Sequence, residues 1–129
     1  MRDRQNVSSG SPYEPVVGFS RAVRIGDHVY VAGTAPVMPE GAEPPEDAYG
    51  QAKRCLEIIA DALGETGASL DDVVRTRVFL VKVEDFEEVG RAHGEAFGDI
   101  RPANTTLLAG GLLDPSWLVE IEVDAVVTI

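Results

Sequence analysis

The stretch WLVEIEVDAVV, Trp117 to Val127, alternates apolar and acidic residues and fixes the kind of sheet this chain can build. Val119, Ile121, Val123, Ala125 and Val127 fall at every second position, the spacing that puts side chains on one face of a strand. Leu118, Glu120, Glu122 and Asp124 fall on the other face. One side of the sheet therefore meets a core, and the other carries charge. VVRTRVFLVKV, residues 73–83, is a second long β-branched run of the same kind. Val74, Thr76, Val78 and Leu80 share one face; Arg75, Arg77, Phe79 and Val81 share the other. The second face mixes two arginines and three carboxylates with Phe79, Val81 and Leu118. Such a face is neither a dry core nor a plain solvated surface, and we read it as a part-polar interface between copies of the same chain.

Outward from these strands, FSRAVRIGDHVYVAG (19–33) reads as a hairpin turning at Gly26-Asp27. TAPVMPEGAEPPED (34–47), with four prolines, reads as a loop. From Asp47, a plausible N-cap, the period becomes helical: Ala48, Ala52, Cys55, Leu56, Ile59, Ala62 and Leu63 form one stripe, ended by Gly64 or Gly67. A second stripe runs through Phe86, Val89, His93, Ala96 and Phe97, with Gly98 as the stop. NTTLLAGG (104–111) then reads as a strand ahead of the last one, and the polar residues 1–12 as a mobile end. The predicted order is β-β-α-β-α-β-β, a single α+β domain over residues 1–129 with both helices on one face of a mostly antiparallel sheet.

Composition narrows the function. A formal charge of −11 repels phosphate backbones, so nucleic acid is not an expected partner. A single cysteine leaves no disulfide within the chain, and His28 and His93 are too far apart to start a metal cluster. There is no apolar run of the roughly 20 residues that span a bilayer and no signal-peptide core, so a cytoplasmic protein without membrane contact is expected. Gly110-Gly111 is far too short a signal for a phosphate loop.

Taken together, GFSRAVRIGDHVYVAGTAPV, GASLDDVVRTRVFLVKVEDFEEV, RPANTT and LVEIEVDAVV resemble, in order and spacing, the RidA/YjgF family over Gly18 to Ile129. The resemblance implies a chorismate-mutase-like fold, a homotrimer whose sheets form a central barrel, and small-molecule pockets between subunits. Archetypal members hydrolyse enamines and imines such as 2-aminoacrylate to a 2-keto acid and ammonia, without a cofactor. A glutamate places the attacking water, and an arginine clamps the substrate carboxylate through two parallel hydrogen bonds.

Carried across, Glu120 matches the water-positioning glutamate and Gly33 the pocket-lining glycine. The arginine of the family's Pro-Ala-Arg motif is Asn104 here, after Pro102 and Ala103. Arg101 is the candidate substitute, although an odd offset on a strand would point it the other way. Phe19 replaces a tyrosine, Thr106 stands at a small or cysteine position, and Gly90 and His93 replace an asparagine and a tyrosine of the second helix. The resemblance thus implies a hydrolase of small imines or enamines whose substrate differs from 2-aminoacrylate; the alternative is a trimer that binds a metabolite without turning it over.

Each candidate also has a plainer reading. Glu120 could be a strand-face carboxylate paired with Arg75 or Arg77, and Glu122 is better read as a structural ion pair. Asn104, Thr105 and Thr106 could simply open a strand after proline. His93 and Cys55 sit on apolar stripes and read as buried structural residues, while Trp117 could cap the last strand or edge the pocket.

Overall fold

The structure, a computed structural model, describes residues 3–128. Its strands are β1 (Arg4–Val7), β2 (Ala22–Ile25), β3 (His28–Thr34), β4 (Val73–Leu80), β5 (Ala103–Leu108) and β6 (Val119–Val126); its helices are α1 (Ala48–Glu65) and α2 (Phe86–Phe97). One six-stranded sheet runs β1-β2-β3-β6-β4-β5. Every pairing is antiparallel except β4–β5, which α2 joins as a parallel crossover.

The hairpin of β2 and β3 closes over Gly26-Asp27, with Ile25 opposite His28. Gly26 takes φ +58°, a conformation glycine adopts at no steric cost. Asp47 caps α1, its carboxylate accepting from the Gly50 N–H at 3.1 Å. All seven residues of the expected α1 stripe are buried. They pack with Val29, Val31, Val78, Leu80, Ile121 and Val123 into one core between helices and sheet.

Gln51 joins that core at 1% exposure, with every polar atom of its amide employed. Its Nε2 donates to the carbonyls of Pro45 (2.9 Å) and Ser116 (3.0 Å), and its Oε1 accepts from the Leu118 N–H (2.7 Å). One helix side chain thereby ties down both the proline-rich loop and the approach to β6.

Three expectations are corrected. Residues 4–7 lie inside the segment expected to be mobile, yet they form edge strand β1. Only Val7 of this strand is buried, so its composition hides it; Asn6 Nδ2 bonds Ser20 Oγ at 2.9 Å, and Gln5 Nε2 bonds the Glu65 carbonyl at 2.9 Å. Val74, placed by alternation with Thr76, is 48% exposed. Val73 pairs with Ala125 and Arg75 with Asp124, so Val74 is the extra residue of a β-bulge, which resets the alternation. In α2, Phe86 is 54% exposed because it opens the helix, and Ala92 takes a buried place on the stripe.

Candidate functional site

The sequence candidates separate onto the two faces of the sheet. Glu120 pairs with Phe79 across β6–β4, and Phe79 with Leu107 across β4–β5, so these three share the face turned away from the helices. Asn104 pairs with Thr76, which pairs with Val123, and this row belongs to the helix side.

The first group gathers at the end of β3. Val31 pairs with Val123 but Thr34 with Ile121, so β3 carries an extra residue through Ala32–Gly33. At this irregularity the Glu120 carboxylate lies against the Cα of Gly33, in space a β-carbon would need. Arg21, just before β2, reaches into the same corner. Its Nη1 donates to the Gly33 carbonyl (3.1 Å) and to Thr34 Oγ1 (2.9 Å). Burial raises the Glu120 carboxyl above its ordinary value; the Arg21 charge opposes that rise and Glu122 adds to it. Arg21 in turn is lowered by burial and held up by the charges of Glu120 and Glu14.

Glu120 is thus a half-buried carboxylate with a cation nearby, whereas its acidic neighbours are spent on ion pairs. Glu122 bonds Arg77 at 3.0 Å, and Asp124 sits 3.8 Å from both Arg75 and Arg77. The structural ion pair expected for Glu122 is present, and the pairing of Glu120 with Arg75 or Arg77 is not formed. Arg21 was missed by sequence reasoning. Its place two residues after Phe19, in a hairpin approach already assigned to the pocket, was the available signal.

The second group lies between β5, β4 and α2. Thr106 Oγ1 donates to Asn104 Oδ1 (3.0 Å), Asn104 Nδ2 donates to Thr76 Oγ1 (2.9 Å), and Thr76 Oγ1 lies 2.8 Å from His93 Nε2. His93 is half-buried against Phe97, ring centroids 4.7 Å apart, and burial lowers its pKa. Gly90, one turn earlier, faces open space. Phe19 is 36% exposed ahead of β2. Arg101 is exposed and lies outside β5: its N–H bonds the Phe97 carbonyl at 2.8 Å and its φ is +55°, so it ends α2 as a left-handed cap and not as a strand residue. Cys55 is fully buried, and burial with the Glu120 charge pushes its thiol up to about 12, which makes it inert core.

Among the described residues there is no group of three or more His, Cys, Asp or Glu that could hold a metal ion, and no helix long and apolar enough to cross a membrane.

Sheet order, helix placement and the Glu120 corner define an α+β protein with its polar groups presented on both faces of one sheet. The family profile described as Endoribonuclease L-PSP matches residues 10–127. A solved member of the YjgF family from Mycobacterium tuberculosis shares 46% identity at a TM-score of 0.88, covering 97% of this chain and 100% of that one. An uncharacterised protein of Streptomyces coelicolor is 41% identical over 121 residues, 94% of this chain and 90% of that protein. A RutC family protein of Pyrococcus abyssi is 37% identical over 95 residues, 73% of this chain and 75% of that protein. The chain belongs to the RidA/YjgF family.

Proposed function

We propose that this chain assembles as a homotrimer and hydrolyses small imines or enamines in clefts between subunits, with Glu120 orienting the attacking water. The supporting observation is the division of the polar candidates between faces: Glu120, Gly33 and Arg21 on one side, Asn104 and Thr106 at the β5 edge on the other. A ligand held by both groups needs a second copy to bring them together. The charged sheet face, with Phe79 opposite Glu120 among its ion pairs, suits burial against such copies.

In this reading the raised carboxyl of Glu120 is matched to its task. A base whose pKa lies nearer neutrality takes a proton from water more effectively, and Arg21 keeps the carboxylate available. Asn104 supplies hydrogen bonds without charge, so the substrate carries its carboxylate elsewhere or has none. No cofactor takes part, and the site of action is the cytoplasm.

The absence of an arginine at 104 also favours a second reading, a trimer that binds a small metabolite without turnover. An RNA-cleaving role, named in the description of the matching profile, is opposed by the charge of −11. Release of 2-keto acid from freshly generated imino acids separates the first two readings. Turnover in the parent that disappears in Glu120→Gln while binding survives supports the hydrolase; binding without turnover in the parent supports the carrier. Sedimentation that returns a monomer at working concentration sinks both.

A further inference from the structure

The hydrogen-bonded row Thr106–Asn104–Thr76–His93 runs from the exposed edge of the sheet to a residue with no exposed surface, since Thr76 is 0% exposed. Its proton count can be closed. A threonine hydroxyl has one proton to give and two lone pairs to receive. Asn104 Nδ2 already donates to Thr76 Oγ1, so one lone pair is taken. The Thr76 proton then has His93 Nε2, 2.8 Å away, as its acceptor. A hydroxyl proton left without an acceptor at a fully buried position is strongly disfavoured. With the Asn104 amide turned this way, His93 Nε2 is bare and the ring proton sits on Nδ1. Were Nε2 protonated, it would donate to Thr76, Thr76 would donate to Asn104 Oδ1, and the amide would have to turn over.

We infer that His93 is a positioning residue: as the neutral Nδ1–H tautomer it sets, through Thr76, which way the Asn104 amide faces, so that Asn104 offers its second N–H at the β5 edge to a ligand oxygen. The ring is clamped for this by Phe97, and its burial disfavours the charged form that would reverse the row. Thr106 completes the fixation by occupying Asn104 Oδ1 from the strand itself. The complementary ligand group is an uncharged carbonyl oxygen, taken by a donor that brings direction without charge. The ligand half of this inference rests on reading the β5 edge as one wall of the cleft; the tautomer does not.

The two halves are tested separately on the full chain, labelled with nitrogen-15. Ring-nitrogen spectra of His93 and the side-chain amide of Asn104 are recorded for the parent, Thr76→Val and Thr76→Ser. The expected parent spectrum shows an unprotonated Nε2 and two well-separated Asn104 amide protons. In Thr76→Val the ring shifts towards Nε2–H and the amide protons converge, while Thr76→Ser restores both. A parent ring protonated at Nε2, or an Asn104 amide unmoved by Thr76→Val, overturns the relay. Pyruvate is then titrated against the same amide signal. Binding in the parent that weakens roughly fivefold in Thr76→Val and recovers in Thr76→Ser supports the ligand half. Pyruvate that shifts the Gly33 amide but leaves the Asn104 amide unmoved overturns that half alone; no shift at either wall overturns the cleft reading as well, while the ring spectrum still decides the relay.

Discussion

The Glu120 carboxylate occupies the volume that a β-carbon on Gly33 would fill. The glycine is thus required by a neighbour's side chain, not by its own backbone dihedrals, and the β3 irregularity exists where that close approach is made.

Gly33→Ala therefore has a local effect. The end of a glutamate side chain can swing aside, so the fold survives, with a thermal midpoint within a few degrees of the parent. Glu120 is displaced, and any turnover falls at least tenfold, as expected when about 1.4 kcal/mol of transition-state stabilisation is lost. A variant with parental turnover would show that the position of Glu120 is immaterial.

Arg21→Gln keeps a hydrogen-bond donor near Gly33 and Thr34 but removes the charge. The Arg21 charge favours the ionised form of Glu120, so its loss moves the Glu120 titration to still higher pH, readable from the carboxyl carbon by NMR. The acid limb of any activity profile should move the same way. An unchanged titration would separate the two residues.

Glu120→Gln should be more thermally stable than the parent at neutral pH. The folded carboxyl is raised above its ordinary 4.5, so the folded state holds a proton that the unfolded chain has released. Stability is then greatest below 4.5 and is lost as pH rises through the folded value. The gain in Tm should vanish in acid; a gain equal at both pH values would rule out ionisation as its cause.

Gln51→Leu keeps the side-chain volume roughly constant but strands the Pro45 and Ser116 carbonyls and the Leu118 N–H. The stranded groups are only part-buried, so urea denaturation should show a loss of about 1–3 kcal/mol in all. A loss below about 1 kcal/mol would mean that these loops repair themselves with water.

Cys55 should resist alkylation in the native protein and react fully once it is unfolded, because its buried thiol is held up to about 12. Rapid labelling of the native chain would show that α1 opens readily.

Much of the fold was legible because periodicity is set by burial. The stripe of α1 and the alternation of Val119, Ile121, Val123 and Ala125 are buried as read. What escaped was set by pairing partners. β1 is stabilised by side chains of Ser20 and the backbone of Glu65, far along the chain, and Val74 is displaced by the register of β6. Glu120 and Gly33 were found through family resemblance, but Arg21 was not, since its role comes from β3 folding back beside it. Nor could alternation alone place Asn104 and Glu120 on opposite faces; that required knowing that β5 lies parallel to β4.

The row from Thr106 to His93 also couples the substitutions this edge can take. Each member fixes the polarity of the next, so single replacements meet resistance from their partners. An arginine at 104 would deprive Thr106 of its acceptor, and an aliphatic residue at 93 would leave the Thr76 proton without a destination. The polarity of this edge thus belongs to the four side chains together, and a change at one is felt at the other three.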